Sequence, residues 1–233
     1  MAGSRSVAAN LGCVLTLAID TATAGVVVGV VAVTDKVRVL AERRGGGPAR
    51  HGETVAPAVA AVLAEAGHAP SNLAAVVVGT GPGPFTGLRV GMVSAAALAH
   101  ALGVPAYGVC SLDAVALGLP ERTGTTVVAT DARRREVYWA VYSDGEQIEG
   151  PHVGGPVGLL DRLPGLGADR VVGAGAVLYD LPGAVDAGPT AAGLVAAAGP
   201  ALLDRWLPAP LRAAYLRRPD AVEMAARTPA GRP

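Results

Sequence analysis

Two turns in this 233-residue chain carry side chains that could do chemistry. Asp20-Thr21 follows the apolar run LTLAI, which ends at residue 19, and Asp131 closes the similar run TVVATD at 126–131. A carboxylate beside a hydroxyl at a strand end can orient a metal-bound nucleotide, so Asp20, Thr21 and Asp131 are candidates for cofactor binding. The same residue types also form Asx and ST turns, in which they only satisfy turn amides. The second turn favours that structural interpretation, because it lacks glycine and hydroxyl groups.

A glycine-rich loop, GTGPGPFTG at 79–87, joins an apolar run to a long Ala/Leu/Val segment. Such a turn into a helix can present N–H groups to an anion. It is not a P-loop, because no lysine is near, nor a dinucleotide fingerprint, because the third glycine is missing. Two prolines also remove amide donors. The loop either turns the chain so that the helix packs on the sheet, with Phe85 packing too, or contacts an anion through the amides of 86–88. Arg89 would then assist the anion or pair with a carboxylate.

The densest basic cluster is Arg133-Arg134-Arg135. A solvated hairpin turn explains it, and contact with a phosphate, RNA or an acidic partner is the alternative. The whole chain has 19 basic and 19 acidic residues and a formal net charge of zero. A free-standing nucleic-acid-binding protein normally has a basic excess, so the composition argues against that class.

No metal site and no catalytic residue is predicted. Two histidines four apart on a helix are typical of zinc and iron sites, but the residue four beyond His51 is Val55. Cys13 and Cys110 form no Cys-x-x-Cys pair, and Cys110 is expected to be a small buried thiol. The Gly-x-Ser-x-Gly motif of serine hydrolases is missing.

The elements that must position these residues occur twice. Asp131 lies 111 residues after Asp20, and each aspartate is followed by a turn and a second strand. The run VVVGTG at 76–81 has a weaker counterpart in VVGAGA at 171–176. A repeat this long is not a solenoid, so we expect an α/β fold of duplicated β-β-β-α-β-α subdomains. Paired aspartate-bearing hairpins of this kind line the phosphate and metal cleft of actin-like ATPases (the ASKHA fold).

The duplication divides the chain into four segments. Residues 1–13 are predicted to be a disordered start, and 14–110 to be an N-terminal actin-like subdomain with partner-binding helices. Residues 111–218 are predicted to form the C-terminal actin-like subdomain, and 219–233 a mobile tail. No uncharged apolar run reaches about 18 residues, and the start lacks the apolar core of a signal peptide, so we predict a cytoplasmic protein with no membrane contact.

Two helices are predicted in the first subdomain, over 54–66 and 86–102. The second has small or apolar residues around nearly its whole circumference, whereas a helix on a sheet needs only one apolar stripe. The excess predicts burial by another chain, and the first helix could join it in a four-helix interface. The predicted interface residues are Val55, Val59, Val62, Leu63, Val90, Val93, Ala97 and Ala101.

Five runs of the sequence together resemble the TsaB (YeaZ) family. They are LAIDTAT at 17–23, HGETVAP at 51–57, GTGPGPFTGLRVG at 79–91, DARRREVYWAVY at 131–142 and AYLRR at 214–218. The resemblance covers most of the two subdomains, and GPGPFTGLRVG together with DARRREVYWA is highly specific. The departures are small, with Gly52 and Pro84 each standing where serine is commoner.

The resemblance implies an actin-like ATPase fold and a non-catalytic scaffold or activating subunit in the synthesis of N6-threonylcarbamoyladenosine in tRNA. The implied partners are a TsaD-like catalytic subunit, a TsaE-like ATPase, tRNA through the complex, and a second copy of the chain when the partner is absent. No intrinsic cofactor is implied, because ATP and metal are expected on the partner subunits. The chain lacks features of TsaD-type relatives: His51 has no histidine partner, and 171–179 does not match their nucleotide loop.

A stand-alone ATP-dependent enzyme of the same fold, kinase-like or protease-like, is the alternative. Asp20 or Asp131 would then orient a metal-bound nucleotide. A protease would further need an activated nucleophile, and the sequence shows none.

Overall fold

The computed structural model describes residues 13–45, 51–204 and 206–217. The predicted disordered start, apart from Cys13, and the predicted mobile tail lie outside these residues. The strands are β1 (Val14–Asp20), β2 (Val26–Val33), β3 (Val37–Gly45), β4 (Ala75–Gly79), β5 (Ala106–Val109), β6 (Thr125–Asp131), β7 (Val137–Ser143), β8 (Glu146–Gly154) and β9 (Arg170–Val172). The helices are α1 (His51–Glu65), α2 (Phe85–Leu102), α3 (Ser111–Leu117), α4 (Pro156–Leu166), α5 (Ala174–Leu178) and α6 (Ala191–Leu203).

The nine strands form two sheets of the same design. The first has the order β3-β2-β1-β4-β5 and the second β8-β7-β6-β9. In each, three antiparallel strands are followed by a crossover helix and a strand parallel to the first of them. Asp20 pairs with Val27 at the end of the first hairpin, and Asp131 pairs with Val137 at the end of the second. The repeated topology confirms the predicted α/β fold of duplicated β-β-β-α-β-α units.

Opposite faces of the first sheet are covered by different helices, because successive side chains of a strand point to opposite sides. Leu17 and Ile19 of β1 pack with α1 and α2, whereas Ala18 between them packs with α6. In the second sheet, one face packs against α3 and the other against α4 and α5. Helix α3 therefore lies between the two sheets and contributes to the cores of both.

The predicted division at residue 110 needs a correction. Helix α6 lies in the segment 111–218 that was assigned to the second subdomain, yet it packs on the first sheet and against α3. Its buried Leu194 and Val195 fill the face of the first sheet that α1 and α2 leave uncovered. The reason is physical. A sheet whose two faces both carry buried β-branched residues must be covered on both sides, and α6 covers the second side.

Candidate functional site

The Asp20 carboxylate is fully buried, and both of its oxygens accept hydrogen bonds from the protein. Oδ1 accepts the Ala22 N–H at 2.8 Å, and Oδ2 accepts the Ser111 hydroxyl at 2.5 Å. A Cβ on Gly79 would overlap this carboxylate, so only glycine fits opposite it at the end of β4. Asp20 thereby joins the end of β1 to the start of α3.

Ser111 extends this connection to the glycine-rich loop. Its hydroxyl accepts the Gly81 N–H at 3.2 Å, and its own N–H donates to the Gly81 carbonyl at 2.7 Å. The carboxylate, the hydroxyl and the loop backbone thus satisfy one another inside the protein. This arrangement fits the structural interpretation of Asp20 and not its candidacy for cofactor binding, because the carboxylate is enclosed and its hydrogen bonds are made within the protein.

Thr21 is likewise enclosed, and it holds the first turns of α2. Its hydroxyl donates to the Gly87 carbonyl at 2.7 Å and accepts the Gly91 N–H at 3.0 Å. These two backbone groups are four residues apart and would ordinarily bond each other in a helix. A Cβ on Gly91 would overlap the Thr21 hydroxyl, so glycine allows the close approach. Thr21 positions α2 and is not accessible as a cofactor ligand, which corrects its candidacy.

The glycine-rich loop packs tightly on the first hairpin. A Cβ on Gly83 would overlap the Ala22 carbonyl, and the Leu88 N–H already donates to the Pro84 carbonyl at 3.1 Å. Among the amides of 86–88, that of Leu88 is therefore used within α2. The close approach supports the interpretation of the loop as a packing turn.

Asp131 forms the Asx turn that was the structural alternative for it. Its Oδ1 accepts the Arg133 N–H at 2.8 Å, and its Oδ2 lies 3.4 Å from the Arg133 guanidinium. Arg133, Arg134 and Arg135 are exposed, and all three adopt left-handed backbone conformations with φ of 60°, 54° and 60°. That conformation costs about 1–2 kcal/mol per non-glycine residue. We call residues 133–135 the arginine turn.

A cleft of about 280 Å³ separates the start of α2 from the arginine turn. Phe85 and Thr86 line it on one side, and Arg133 and Arg134 line it on the other. Residues 206–217, which we call the C-terminal strap, complete the lining through Tyr215, Leu216 and Arg217. The structure thus brings Arg133 and Arg134 of the predicted basic cluster, the only phenylalanine and the strap to one place.

The strap is anchored to both halves of the protein. The Ala214 N–H donates to the Thr80 carbonyl at 2.8 Å in the first half. Arg217 donates to the Ala132 carbonyl at 3.1 Å and forms an ion pair with Glu136 in the second half. The strap therefore fixes the width of the cleft.

Arg89 contacts two aromatic side chains near the start of α2. Its guanidinium carbon lies 3.7 Å from the centre of the Phe85 ring, and its Nε donates to the Tyr215 hydroxyl at 3.3 Å. Phe85 and Tyr215 stack with ring centres 5.2 Å apart. The result is a packed cation–aromatic cluster at the mouth of the cleft.

Helix α2 has an exposed face with no Asp, Glu, Lys or Arg from Val90 to Leu102. Val93 is 66% exposed, Ala97 and Ala101 are exposed, and Val90 is partly buried. Only five of the 18 residues of α2 are buried. By length and composition α2 could also cross a membrane, but core helices of soluble proteins can have the same properties.

The predicted contribution of α1 needs a correction. Val55, Val59, Val62 and Leu63 are buried in the chain's own core, on the side of α1 that packs on β2 and β3. They form the single apolar stripe that α1 needs to cover the sheet, so they are not available to a partner. The exposed apolar residues of α1 are Ala56, Pro57, Ala60 and Ala64.

A partly buried polar cluster near the junction of the two halves was missed from the sequence. The Tyr142 hydroxyl donates to Asp113 Oδ1 at 2.8 Å, and the Cys110 thiol also bonds Asp113. Burial raises the pKa of Cys110 to about 12 and raises the pKa values of Asp113 and Tyr142. Within 13–45, 51–204 and 206–217, no group of three or more His, Cys, Asp and Glu side chains is placed to hold a metal ion.

Comparisons with known proteins identify the family of the chain. The family model described as TsaD, tRNA N6-adenosine threonylcarbamoyltransferase, matches residues 41–186, more than half of the chain. The Escherichia coli tRNA threonylcarbamoyladenosine biosynthesis protein TsaB is 39% identical over 101 residues. A solved Pseudomonas aeruginosa protein described as similar to peptidase YeaZ is 30% identical with a TM-score of 0.67, covering 85% of this chain and all of that one. The chain belongs to the TsaB (YeaZ) family.

Relatives of this TsaB-family chain differ in how much of their length is matched. An uncharacterized Mycobacterium tuberculosis protein is 51% identical, covering 90% of this chain and 94% of that protein. An uncharacterized Mycobacterium leprae protein is 52% identical, covering 89% of this chain, which spans only 56% of that protein. The E. coli TsaB match covers 42% of this chain and 44% of that protein. With the two-sheet topology, the YeaZ structure confirms the predicted actin-like fold.

Proposed function

We propose that this chain is a non-catalytic subunit in the synthesis of N6-threonylcarbamoyladenosine in tRNA, and that it binds a TsaD-like catalytic protein through the exposed face of α2. The name of the E. coli relative supports the pathway. The match to the TsaD family model supports a partner of related fold, because paralogues of one fold can present equivalent helices to each other.

The observation that carries the proposal is the exposed face of α2 between Val90 and Leu102, which has no Asp, Glu, Lys or Arg. A surface helix of a monomer ordinarily has polar and charged residues on its outer side. Here the outer side has Val93, Ala97 and Ala101, whose small side chains allow a second helix to approach closely. The exposed alanines of α1, which lies against α2, extend the apolar surface.

The same surface would pair with a second copy of the chain when the partner is absent. In the complete assembly, tRNA and a TsaE-like ATPase join through the complex, and ATP and metal bind the partner subunits. We place this activity in the cytoplasm, where tRNA is modified. The enclosed Asp20 and Thr21 support a subunit without its own nucleotide chemistry, since neither side chain can reach a ligand.

Co-purification of tagged variants with the TsaD-like protein from the same organism tests the proposal. Val93→Arg places a charge on the proposed interface and is expected to abolish co-purification. Val157→Arg is the matched control, because Val157 is 68% exposed on α4 and belongs to the other half of the protein. Equal recovery of the partner with both variants would refute this interface.

Depletion of the protein in cells tests the pathway separately. Mass spectrometry of tRNA nucleosides is expected to show a loss of threonylcarbamoyladenosine, and an undiminished level would refute the pathway. The enzyme alternative has its own test: purified protein would have to turn over ATP at a rate abolished by Asp20→Asn. We expect no such turnover, because the carboxylate is buried.

A further inference from the structure

The cleft between α2 and the arginine turn has an unusual composition for this chain. The protein has eight aromatic residues, namely one Phe, five Tyr and two Trp. Three of them, Phe85, Tyr138 and Tyr215, line this one cleft together with Arg133, Arg134 and Arg217. Aromatic faces and arginines are the two side-chain types that bind unpaired nucleotides, by base stacking and by phosphate contact.

The aromatic side of the cleft is partly exposed, and its rings are packed against each other. Phe85 is 37% and Tyr215 43% exposed, and each ring is held by the other and by Arg89. A base can therefore stack there without the entropy cost of ordering the rings. The volume of about 280 Å³ lies just below the usual range of about 300–1,000 Å³ for small-ligand pockets, which suits a single base with its sugar.

The opposite side of the cleft is basic. None of the described residues that line the cleft is acidic, although the whole chain has equal numbers of acidic and basic residues. Asp131 and Glu136 pair with Arg133 and Arg217 from outside the lining, and these pairs orient the guanidinium groups. A guanidinium has five N–H donors, so one carboxylate contact leaves donors for a phosphate.

We propose that this cleft binds one unpaired nucleotide of an RNA strand, with the base on Phe85 and Tyr215 and the phosphate at Arg133 and Arg134. The choice of RNA over other nucleotide sources rests on the function proposed above. The exposed Arg135 lies on the same turn but does not line the cleft.

A nuclear magnetic resonance titration of the ¹⁵N-labelled full-length protein with a single-stranded RNA pentanucleotide tests the inference. We expect saturable shifts of the backbone amides at 85–87, 132–135 and 215–217. Arg134→Ala should raise the Kd about tenfold, as for loss of a hydrogen bond to a charged group, and should flatten its salt dependence. Arg135→Ala, the matched control on the same turn, should change the Kd less than about twofold.

The aromatic contact has its own pair of variants. Tyr215→Ala should weaken binding about fivefold or more, whereas Tyr215→Phe, which keeps the ring, should bind within about twofold of the wild type. Equal losses for Arg134→Ala and Arg135→Ala, or no loss for Tyr215→Ala, would reduce the interaction to general charge attraction and overturn the inference.

Two further ligands distinguish the source of the nucleotide. AMP should shift the same amides but bind more weakly than the pentanucleotide, and equal affinity would assign the cleft to a free nucleotide instead. A duplex of the same sequence should bind more weakly than the single strand, and equal binding would also overturn the inference. Co-purification of the wild-type protein with the TsaD-like protein separates the two proposals. A wild type that retains this partner but shows no RNA-induced shifts would refute only the RNA inference and would leave the proposed function in place.

Discussion

The Asp20 carboxylate occupies the space that any side chain at Gly79 would need. The two residues end the adjacent parallel strands β1 and β4, and the carboxylate turns across the glycine to reach Ser111. A carboxylate at this position could bind a ligand, but here its hydrogen bonds connect β1, the glycine-rich loop and α3. The close contact also makes Gly79 one of the least replaceable residues of the first sheet.

Gly79→Ala is expected to lower the free energy of unfolding by about 3 kcal/mol or more, because the added methyl group displaces a buried, hydrogen-bonded carboxylate. Urea denaturation followed by circular dichroism measures the change. Gly154→Ala is the control, since the Cβ at this strand glycine meets no atom within 4 Å. Similar stability of the two variants would contradict the proposed close contact.

Thr21→Val keeps the shape of the side chain but removes the hydroxyl that bridges Gly87 and Gly91. We expect a loss of about 1–3 kcal/mol, because the valine methyl leaves both backbone groups without their present partner. Hydrogen exchange should be faster at the Gly91 amide, while the amides of α4 keep their protection. An unchanged exchange rate at Gly91 would contradict this prediction, because it would show that the Gly91 N–H donates to the Gly87 carbonyl once the hydroxyl is removed.

The two cysteines should differ strongly in reactivity. Burial raises the pKa of Cys110 to about 12, so at pH 8 it stays a thiol, which is a poor nucleophile. Cys13 is exposed. A thiol-labelling reagent should modify one equivalent quickly in the native protein and the second only after unfolding in urea, and Cys13→Ser should remove the fast equivalent. Rapid labelling in Cys13→Ser would contradict the burial of Cys110.

Asp113→Asn should change the pH dependence of stability. Burial raises the pKa of Asp113 above its ordinary value of 3.8, so the folded protein holds this proton more tightly than the unfolded chain. The contribution of Asp113 to the free energy of unfolding is therefore largest below about pH 4 and decreases as the pH rises through the folded-state pKa. The asparagine cannot titrate, but its amide oxygen can still accept the Tyr142 hydroxyl.

Urea titrations of wild type and Asp113→Asn at pH 4, 5.5 and 7 measure this effect. The stability of the variant relative to the wild type is expected to increase with pH, because only the wild type must expose or charge the buried carboxyl group. Tyr142→Phe removes the hydrogen-bond donor but keeps the carboxyl group of Asp113. The free energy of unfolding of this variant should therefore still decrease as the pH rises, as in the wild type. If the free energies of unfolding of Asp113→Asn and the wild type differ by the same amount at all three pH values, the raised pKa of Asp113 is contradicted.

Local patterns in the sequence were sufficient for the fold but not for the roles of single residues. The repeated strand–aspartate pattern predicted the two hairpins, since alternation and turn residues act within about ten residues of chain. Helix α2 was predicted to begin within one residue of its observed start, Phe85. These features depend on short-range chemistry, which one sequence displays directly.

The roles of Asp20, Val55 and Arg89 depend on partners that are distant along the chain. Asp20 contacts Ser111, 91 residues away, and Arg89 contacts Tyr215, 126 residues away. Helical spacing made the valines of α1 candidates for an interface. Spacing shows which residues share an apolar face, but it does not show whether the chain's own sheet or another protein packs against that face. For the same reason, the cluster of Cys110, Asp113 and Tyr142 could not be assembled from the sequence.

The return of α6 to the first sheet also affects synthesis on the ribosome. Domains generally fold as units as they emerge, from the N-terminus onward. Here Val31 and Val77 face α6, so that side of the first sheet stays uncovered until residue 203 has been translated. The opposite side, with α1 and α2, is complete about a hundred residues earlier. The α2 surface is therefore complete on the nascent chain before the first core is closed.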